Sequence, residues 1–189
     1  MKQLLYLVLT VCLPIMGMSK DLNNRMQGVG YLVIDGFSQD SIGRWQFVSD
    51  QVMGGVSTGT LNFELDDEDV VAHMTGSVST ENNGGFIQFR RNISLPESII
   101  GIKLRVRGNN QKYFVHIRTG GTILPWQYYS SEFSATDDWA DVFLPLANFS
   151  RSSRWLNRTL EASAARSLGI VAYGRDHQAD IQVSKIEAY

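Results

Sequence analysis

The chain has 189 residues, of which 43% are hydrophobic and 19% charged, and its formal net charge is −2. These fractions are typical of a globular protein and exclude a disordered or collagen-like chain, while the length suits one sizeable core. The near-neutral charge argues against a nucleic-acid partner, which would need a dense basic surface. Glycine is frequent, with 17 residues, and proline is rare, with 4, which favours strands joined by tight turns.

The first 19 residues differ from the rest of the chain. A basic start at Lys2 is followed by an apolar run over Leu4–Leu13 and then by small residues. This order predicts a secretory signal peptide over residues 1–19 that is cleaved before Lys20. The apolar run is shorter than the ~20 residues of a membrane span, so we expect no transmembrane segment in the mature chain.

The compartment depends on where translation starts. A working signal peptide exports the protein to the periplasm or the cell exterior, whereas initiation at Met18 or Met26 leaves it in the cytoplasm. The single cysteine, Cys12, follows a bulky residue, which disfavours a lipoprotein box but leaves lipidation open. We expect a mature chain without disulfides, in which residues 20–30 form a polar linker to one domain over residues 31–189.

The domain sequence predicts an all-β fold. Apolar and polar residues alternate between turn signals, most clearly over Ile102–Arg107 and Tyr113–Arg118. Such alternation buries one face of an antiparallel sheet, and without crossover helices it indicates an antiparallel β-sandwich of the jelly-roll type. Only Arg158–Arg166 has the character of a short helix. The predicted strands are Tyr31–Phe37, Arg44–Ser49, Gly55–Leu65, Val70–Ser79, Gly85–Ile93, Ile100–Arg107, Lys112–Thr119, Trp126–Phe133, Asp138–Leu144, Leu168–Tyr173 and Ile181–Tyr189.

Local motifs give no convincing active site. Gly55–Gly59 has the letters G-x-S-x-G, but a strand-like pattern follows it, whereas a nucleophilic Ser57 would need a helix there. A hydrolase using Ser57 is therefore kept only as the third alternative. The histidines, His73, His116 and His177, lack metal-ligand spacing. We expect no catalytic residue, no bound metal and no cofactor.

The acidic run Asp66-Asp67-Glu68-Asp69 lies between two predicted strands. Oxygen-rich loops bind calcium. Acidic runs of this kind are more often solvated, and here the run would form the tip of a hairpin. The sequence leaves both interpretations open and favours the hairpin tip.

A candidate binding face combines basic and aromatic residues. On predicted strands whose other face is apolar, the exposed positions carry arginines and a histidine beside an aromatic run. Rings supply contact area and guanidinium groups supply fixed hydrogen-bond donors, a combination typical of binding surfaces. The predicted ligand- or partner-binding residues are Arg105, His116, Arg118, Trp126, Tyr128 and Tyr129, with Arg107 and either Arg90 or Arg91 beside them.

A longer motif carries a resemblance to a known family. Phe37 and Trp45 precede D-x-V-M-G-G-x-S at Asp50–Ser57, and this order resembles the hallmark of the complex I intermediate-associated protein 30 family. Weaker pieces continue the match over residues 35–189. The motif residues, which we interpret as structural, are Trp45, Asp50, Met53, Gly54, Gly55, Ser57, Gly84, Gly85 and Phe86. We expect a tight turn at the glycine pair, packed Val52 and Met53 side chains, and backbone amides at that turn capped by Asp50 and Ser57.

The resemblance implies a galactose-binding-like jelly roll, similar to some carbohydrate-binding modules. Mitochondrial members of the family are assembly factors for respiratory NADH:ubiquinone oxidoreductase; they act by binding partners, and no catalytic residues are attributed to them. The leading hypothesis is therefore a non-catalytic domain, chaperone-like in role, that binds a protein partner or assembly intermediate. The alternative is a carbohydrate-binding module. Export would separate the chain from the site of complex I assembly and would favour another ligand.

Overall fold

A computed structural model describes residues 30–189, so the predicted signal peptide and nearly all of the predicted linker lie outside the described residues. The described part of the chain forms twelve strands: β1 Leu32–Asp35, β2 Gln46–Ser49, β3 Thr58–Asp66, β4 Asp69–Val78, β5 Phe86–Asn92, β6 Gly101–Gly108, β7 Gln111–Thr119, β8 Tyr129–Ala135, β9 Ala140–Pro145, β10 Ser150–Arg151, β11 Ala165–Tyr173 and β12 His177–Ala188. Short 3₁₀ helices lie at Gln39–Arg44, Asp50–Met53, Glu81–Asn83, Leu146–Asn148 and Ala162–Ala164.

The strands form two antiparallel sheets, as the sequence predicts. The first sheet has the order β3-β4-β12-β6-β9, with β1 also paired to β12. The second sheet has the order β10-β8-β7-β11-β5-β2. Each predicted strand overlaps an observed one, and the β-sandwich prediction is confirmed.

The core lies between the two sheets. On β6 the inward residues Ile102, Leu104 and Val106 are 0% exposed, while the alternate positions Lys103 and Arg105 reach the outer surface. Burial of each such aliphatic side chain contributes roughly 1.5–3 kcal/mol. Because the inward faces supply the core, the outer face of each sheet is available for other contacts. No helix within residues 30–189 has the length and apolar character needed to cross a membrane.

The predicted helix over Arg158–Arg166 is wrong. Ala162–Ala164 form only one 3₁₀ turn, and β11 begins directly afterwards at Ala165. Leu160, Ala162 and Ala165 are buried along this extended segment, and Ala165 pairs with Thr119 on β7. Strand pairing and burial therefore override the helix propensity of the alanine-rich run.

Candidate ligand-binding cleft

A cleft runs across the outer face of the second sheet because its central strand presents small side chains. Along β11 the outward positions are Ser167, Gly169 and Val171, while Leu168, Ile170 and Ala172 point into the core. Gly169 pairs with Arg90 on β5 and with His116 on β7, so two large residues flank a position without a side chain. The result is a floor on β11 between walls on the neighbouring strands.

The cleft has a volume of about 580 Å³. One wall comes from β2 and β5 and the other from β7 and the segment before β8; loops from both sides form the rims. Its lining residues are Gln46, Val48, Val52, Met53, Asn83, Gly84, Phe86, Gln88, Arg90, His116, Arg118, Pro125, Trp126, Tyr128, Ser167, Gly169, Val171 and Tyr173.

Aromatic rings pack against one another along one wall. The ring centroids of His116 and Tyr128 are 3.9 Å apart and their planes differ by 13°, so the two rings are stacked. Tyr173 meets both edge-on, with centroids 5.7 Å from His116 and 6.4 Å from Tyr128. Phe114 extends the cluster with its centroid 6.0 Å from that of Tyr173. This wall presents ring surface to the cleft.

Two rings of the aromatic wall, those of His116 and Tyr128, are uncharged near neutral pH. Burial lowers the pKa of His116 to about 3, and its Nε2 atom is buried without a hydrogen-bond partner among the described residues. Burial also raises the pKa of Tyr128, and the neighbouring Tyr173 hydroxyl raises it further. Neither His116 nor Tyr128 carries charge at neutral pH. Both rings therefore act as apolar contact surface and not as ion-pairing groups.

Hydrogen bonds fix the rim that carries Trp126. The Arg118 guanidinium donates to the backbone carbonyls of Thr122, at 3.4 Å, and Leu124, at 3.1 Å. The buried Gln127 side chain accepts hydrogen bonds from the backbone N–H groups of Ile123, at 2.8 Å, and Leu124, at 3.0 Å. Trp126 is held at the edge of the cleft with 60% of its surface exposed.

The opposite rim is built by the family-like motif. Asp50 is fully buried, and its carboxylate accepts hydrogen bonds from the Ser57 N–H at 2.9 Å, the Ser57 hydroxyl at 2.5 Å, and the N–H groups of Gly85 at 2.5 Å and Phe86 at 3.3 Å. We call these four residues the Asp50 cluster. Burial alone would raise the pKa of Asp50, but the hydrogen bonds outweigh it and hold the pKa below its ordinary value.

The glycines of the motif leave room for this carboxylate. A Cβ atom on Gly55 would lie 2.3 Å from the carboxyl carbon of Asp50, and one on Gly84 would lie 2.4 Å from its Oδ2 atom. Gly54 has a φ of +88°, which favours glycine. The predicted tight turn is present, and Asp50 caps the N–H of Ser57 directly after it. Ser57 does not cap an amide of the turn; its hydroxyl accepts from the N–H of Ser79 instead.

The prediction that Val52 and Met53 pack inside is wrong. Their exposed fractions are 73% and 54%, and both line the cleft rim. The hydrogen bonds of the Asp50 cluster fix a turn that points outward, so the side chains of Val52 and Met53 project from the body of the domain. The motif thus fixes the backbone of a rim whose side chains meet solvent.

Ser57 is a structural residue. Its side chain is buried, donates to the Asp50 carboxylate, and accepts from the N–H of Ser79 at 3.0 Å. A serine with this burial and these partners is not accessible to a substrate, which contradicts the hydrolase alternative.

The structure brings four of the six predicted binding residues together: His116, Arg118, Trp126 and Tyr128. Tyr129 points into the core, is 3% exposed, and donates its hydroxyl to the carbonyl of Asn157 at 2.9 Å. Arg105 and Arg107 lie on the outer face of the first sheet. Arg105 is 3.5 Å from Asp141, and Arg107 pairs with Asp66. The predicted single face is therefore divided between two sheets.

The other motif residues have structural and rim positions. Trp45 is buried, and its indole N–H donates to the Asp35 carboxylate at 3.0 Å. Burial would raise the pKa of Asp35, but hydrogen bonds, led by that of the Ser41 hydroxyl at 2.6 Å, hold it low. Phe86 lines the cleft directly.

The sequence prediction missed part of the site. Gln46, Gln88, Gly169 and Tyr173 line the cleft, yet only the pairing of β2, β5 and β11 brings them together. The alternation of Ser167, Gly169 and Val171 with larger apolar residues was visible in the sequence, but its meaning depends on the central place of β11.

The acidic run forms the tip of a hairpin, the interpretation that the sequence favours. β3 ends at Asp66, and β4 begins at Asp69 and pairs with it. The Asp66 carboxylate accepts from Arg107 at 2.8 Å and from the Trp139 indole N–H at 3.1 Å. Across residues 30–189, no group of three or more His, Cys, Asp or Glu residues is placed to hold a metal ion.

Comparison with known proteins identifies the family of the chain and several solved structures of similar fold. The family model for complex I intermediate-associated protein 30 matches residues 36–183. A family 11 carbohydrate-binding module of a cellulosomal cellulase of Clostridium thermocellum is similar in structure, with 12% identity, a TM-score of 0.68, and 85% of this chain and 95% of that chain covered.

The Clostridium thermocellum family 11 module in complex with a β-1,3-1,4-mixed-linked tetrasaccharide gives the same TM-score of 0.68 and 12% identity, covering 85% of this chain and 96% of that one. An exo-β-agarase is similar over 86% of this chain and 25% of its own, with 7% identity and a TM-score of 0.54. At these identities the likeness establishes the fold alone. A comparison with curated proteins finds no match.

Proposed function

The chain belongs to the complex I intermediate-associated protein 30 family, and from this premise we propose that it is a non-catalytic binding domain whose cleft holds a stretch of oligosaccharide. The observation that carries the proposal is the ring wall of His116, Tyr128 and Tyr173 beside the small-residue floor of the cleft at Gly169. The fold shared with carbohydrate-binding modules supports it.

The chemistry of the cleft suits a sugar chain. A pyranose ring has apolar C–H faces and a belt of hydroxyl groups. The aromatic rings can bury the C–H faces. The hydroxyl groups can hydrogen-bond to polar side chains that line the cleft, namely those of Gln46, Gln88, Arg90 and Arg118. The volume of about 580 Å³ falls within the range of roughly 300–1,000 Å³ that small-ligand sites occupy.

Calorimetric titration of purified protein with a panel of defined tetra- and hexasaccharides tests the proposal. We expect saturable binding to at least one of them. Tyr128→Ala and Trp126→Ala should each weaken it about 5- to 30-fold, because truncating an aromatic contact residue costs about 1–2 kcal/mol.

Trp155→Ala is the matched control. Trp155 is 85% exposed and does not line the cleft, so its removal deletes an equal ring without touching the site. Absence of binding to every saccharide, or equal weakening by Trp155→Ala and Trp126→Ala, would contradict the proposal.

A protein partner is the second candidate, and the exposed apolar rims favour it. Val52 and Met53 stand on one rim, while Ile123, Leu124 and Trp126 stand on the other with exposed fractions of 85%, 40% and 60%. Exposed apolar patches of this kind mark protein-binding surfaces. The family name connects relatives of this chain with intermediates of complex I, which supports an assembly intermediate as partner.

Affinity purification from the native source with quantitative mass spectrometry separates the two candidates. For a protein partner, Met53→Glu should abolish recovery of that partner, whereas Tyr128→Ala should spare it. Recovery of no specific protein with the unmodified chain would count against this candidate, and saccharide binding that survives Met53→Glu would favour the first.

A further inference from the structure

One end of the cleft opens into a basin lined by arginines. The basin has a volume of about 370 Å³, and its walls include five guanidinium groups, which we call the arginine basin: Arg44, Arg90, Arg91, Arg118 and Arg166. The described residues that line it include no carboxylate. Gln46, Arg90, Arg118 and Ser167 line both spaces, so the cleft and the basin are continuous.

Only part of this charge is compensated. Arg44 and Arg91 both pair with the buried carboxylate of Asp35. Arg166 donates to the backbone carbonyls of Ser163, at 2.9 Å, and Ala165, at 2.8 Å, which carry no net charge. The basin therefore sets five guanidinium groups against one carboxylate.

Arg90 and Arg118 are the two arginines that the cleft and the basin share. The Arg118 guanidinium donates only to backbone carbonyls, and the Arg90 guanidinium makes no hydrogen bond or ion pair with any residue in the range 30–189. Arg90 pairs in register with Gly169 on one side of β11, and Arg118 pairs with Ser167 on the other. The small floor of β11 thus separates two cations that lack a counter-ion in the described part of the chain.

The two cations disfavour each other in the empty protein. Burial lowers the pKa of Arg118, and the positive charge of Arg90 lowers it further. Both side chains are half-buried, so water screens this repulsion less than it would at an exposed surface. An anion between them would offset the repulsion and would meet the planar donor forks that arginine uses for carboxylate and sulfate groups.

We propose that the saccharide bound in the cleft is acidic and that its carboxylate or sulfate group lies between Arg90 and Arg118, while its sugar rings lie toward the aromatic wall. This inference rests on the proposed function and specifies the class of its ligand. The neutral rings of His116 and Tyr128 then contact the sugar, and the arginine basin holds the charge.

Matched pairs of oligosaccharides test the charge requirement. Tetragalacturonic acid and its methyl ester form the carboxylate pair, and a κ-carrageenan tetrasaccharide and its desulfated form provide the sulfate pair. We expect the acidic member of at least one pair to bind about tenfold or more tightly than its neutral counterpart, as a charge-assisted contact would give. The pair that responds identifies the acidic group. Only the acidic ligand should lose affinity when sodium chloride is raised.

Arg90→Gln is the decisive variant, because it keeps the stem of the side chain on β5 and removes only a guanidinium group that has no polar partner among residues 30–189. It should remove the preference for the acidic ligand and leave the thermal midpoint unchanged or raised. Arg105→Gln is the matched control, since it deletes the same charge on the outer face of the other sheet, and it should bind like the unmodified protein.

Two results would overturn the inference in distinguishable ways. Neutral and acidic members that bind equally, with no effect of Arg90→Gln, would remove the charge requirement and leave the saccharide proposal intact. Absence of binding to all four oligosaccharides and to the wider saccharide panel would remove both proposals.

Discussion

The imidazole ring of His116 is stacked on the phenol ring of Tyr128, with centroids 3.9 Å apart. Because His116 is titratable, this residue of the cleft also makes the stability of the fold depend on pH. Burial of His116 lowers its pKa from 6.5 to about 3. At pH values between these two limits the unfolded chain holds a proton on His116 that the folded protein does not. Stability contributed by the neutral ring is therefore complete above the unfolded pKa and falls as the solution is acidified.

His116→Phe keeps a ring against Tyr128 and removes this titration. We expect the free energy of unfolding of the unmodified protein to fall relative to that of the variant by up to about 1.4 kcal/mol per pH unit below about pH 6.5. Urea unfolding of both proteins between about pH 7 and pH 5 measures the difference. Parallel pH profiles would show that His116 binds its proton with the same pKa in the folded and unfolded states, and would contradict the prediction.

His73 should show the opposite trend. Its Nδ1 lies 3.0 Å from the Glu64 carboxylate and its Nε2 lies 2.8 Å from that of Asp180. Burial would lower the pKa of His73, but these two carboxylates outweigh it and raise the pKa. The stabilising contribution is complete below the unfolded pKa and is lost as the pH rises through the folded pKa.

His73→Gln should therefore destabilise the protein more at about pH 6 than at about pH 9. Thermal midpoints across this range measure the difference. The prediction fails if the gap between the two proteins grows as the pH rises.

Gly169→Leu should close the cleft without unfolding the domain. A Cβ atom at this position would lie 3.0 Å from the flexible end of Gln88 and 3.4 Å from the Cβ of Arg90, so the new side chain occupies the floor. We expect a loss of saccharide affinity of more than about tenfold and a change in unfolding free energy of no more than about 1 kcal/mol. Thr60→Leu, which places the same side chain on an exposed strand of the other sheet, should leave the affinity unchanged.

Asp50→Asn should destabilise the domain more than Ser57→Ala does. An asparagine keeps one acceptor oxygen and replaces the other by an NH₂ group, so its donor hydrogens would face either the N–H of Ser57 or the N–H groups of Gly85 and Phe86. We expect losses of about 2–4 kcal/mol for Asp50→Asn and about 1–2 kcal/mol for Ser57→Ala in urea unfolding. The reverse order would mean that the serine hydroxyl contributes more to the Asp50 cluster than the charge does.

Gly55→Ala and Gly43→Ala form a further matched pair. The new methyl group at position 55 would collide with the Asp50 carboxylate, whereas nothing lies within 4 Å of a Cβ at Gly43. The first substitution should cost about 1–3 kcal/mol and the second should be close to neutral. Comparable unfolding curves for the two variants would contradict the close approach of Gly55 to Asp50.

The sequence predicts the fold well because strand alternation is a local property, and its limits at the site have the same origin. Alternation also means that neighbouring residues in a strand point to opposite faces, so Tyr128 and Tyr129 could not both reach the cleft. Separating Arg105 from Arg118 would have required knowing that β6 and β7 belong to different sheets. That information resides in long-range pairing.

The position of β12 has a consequence for biosynthesis. This strand lies between β4 and β6 in the first sheet, yet it follows every other strand of the described chain. On the ribosome, β4 and β6 therefore emerge with open edges and no strand between them until His177–Ala188 has been translated. The first sheet is therefore completed last. Until then the unpaired edges of β4 and β6 and their apolar inner faces are exposed to aggregation.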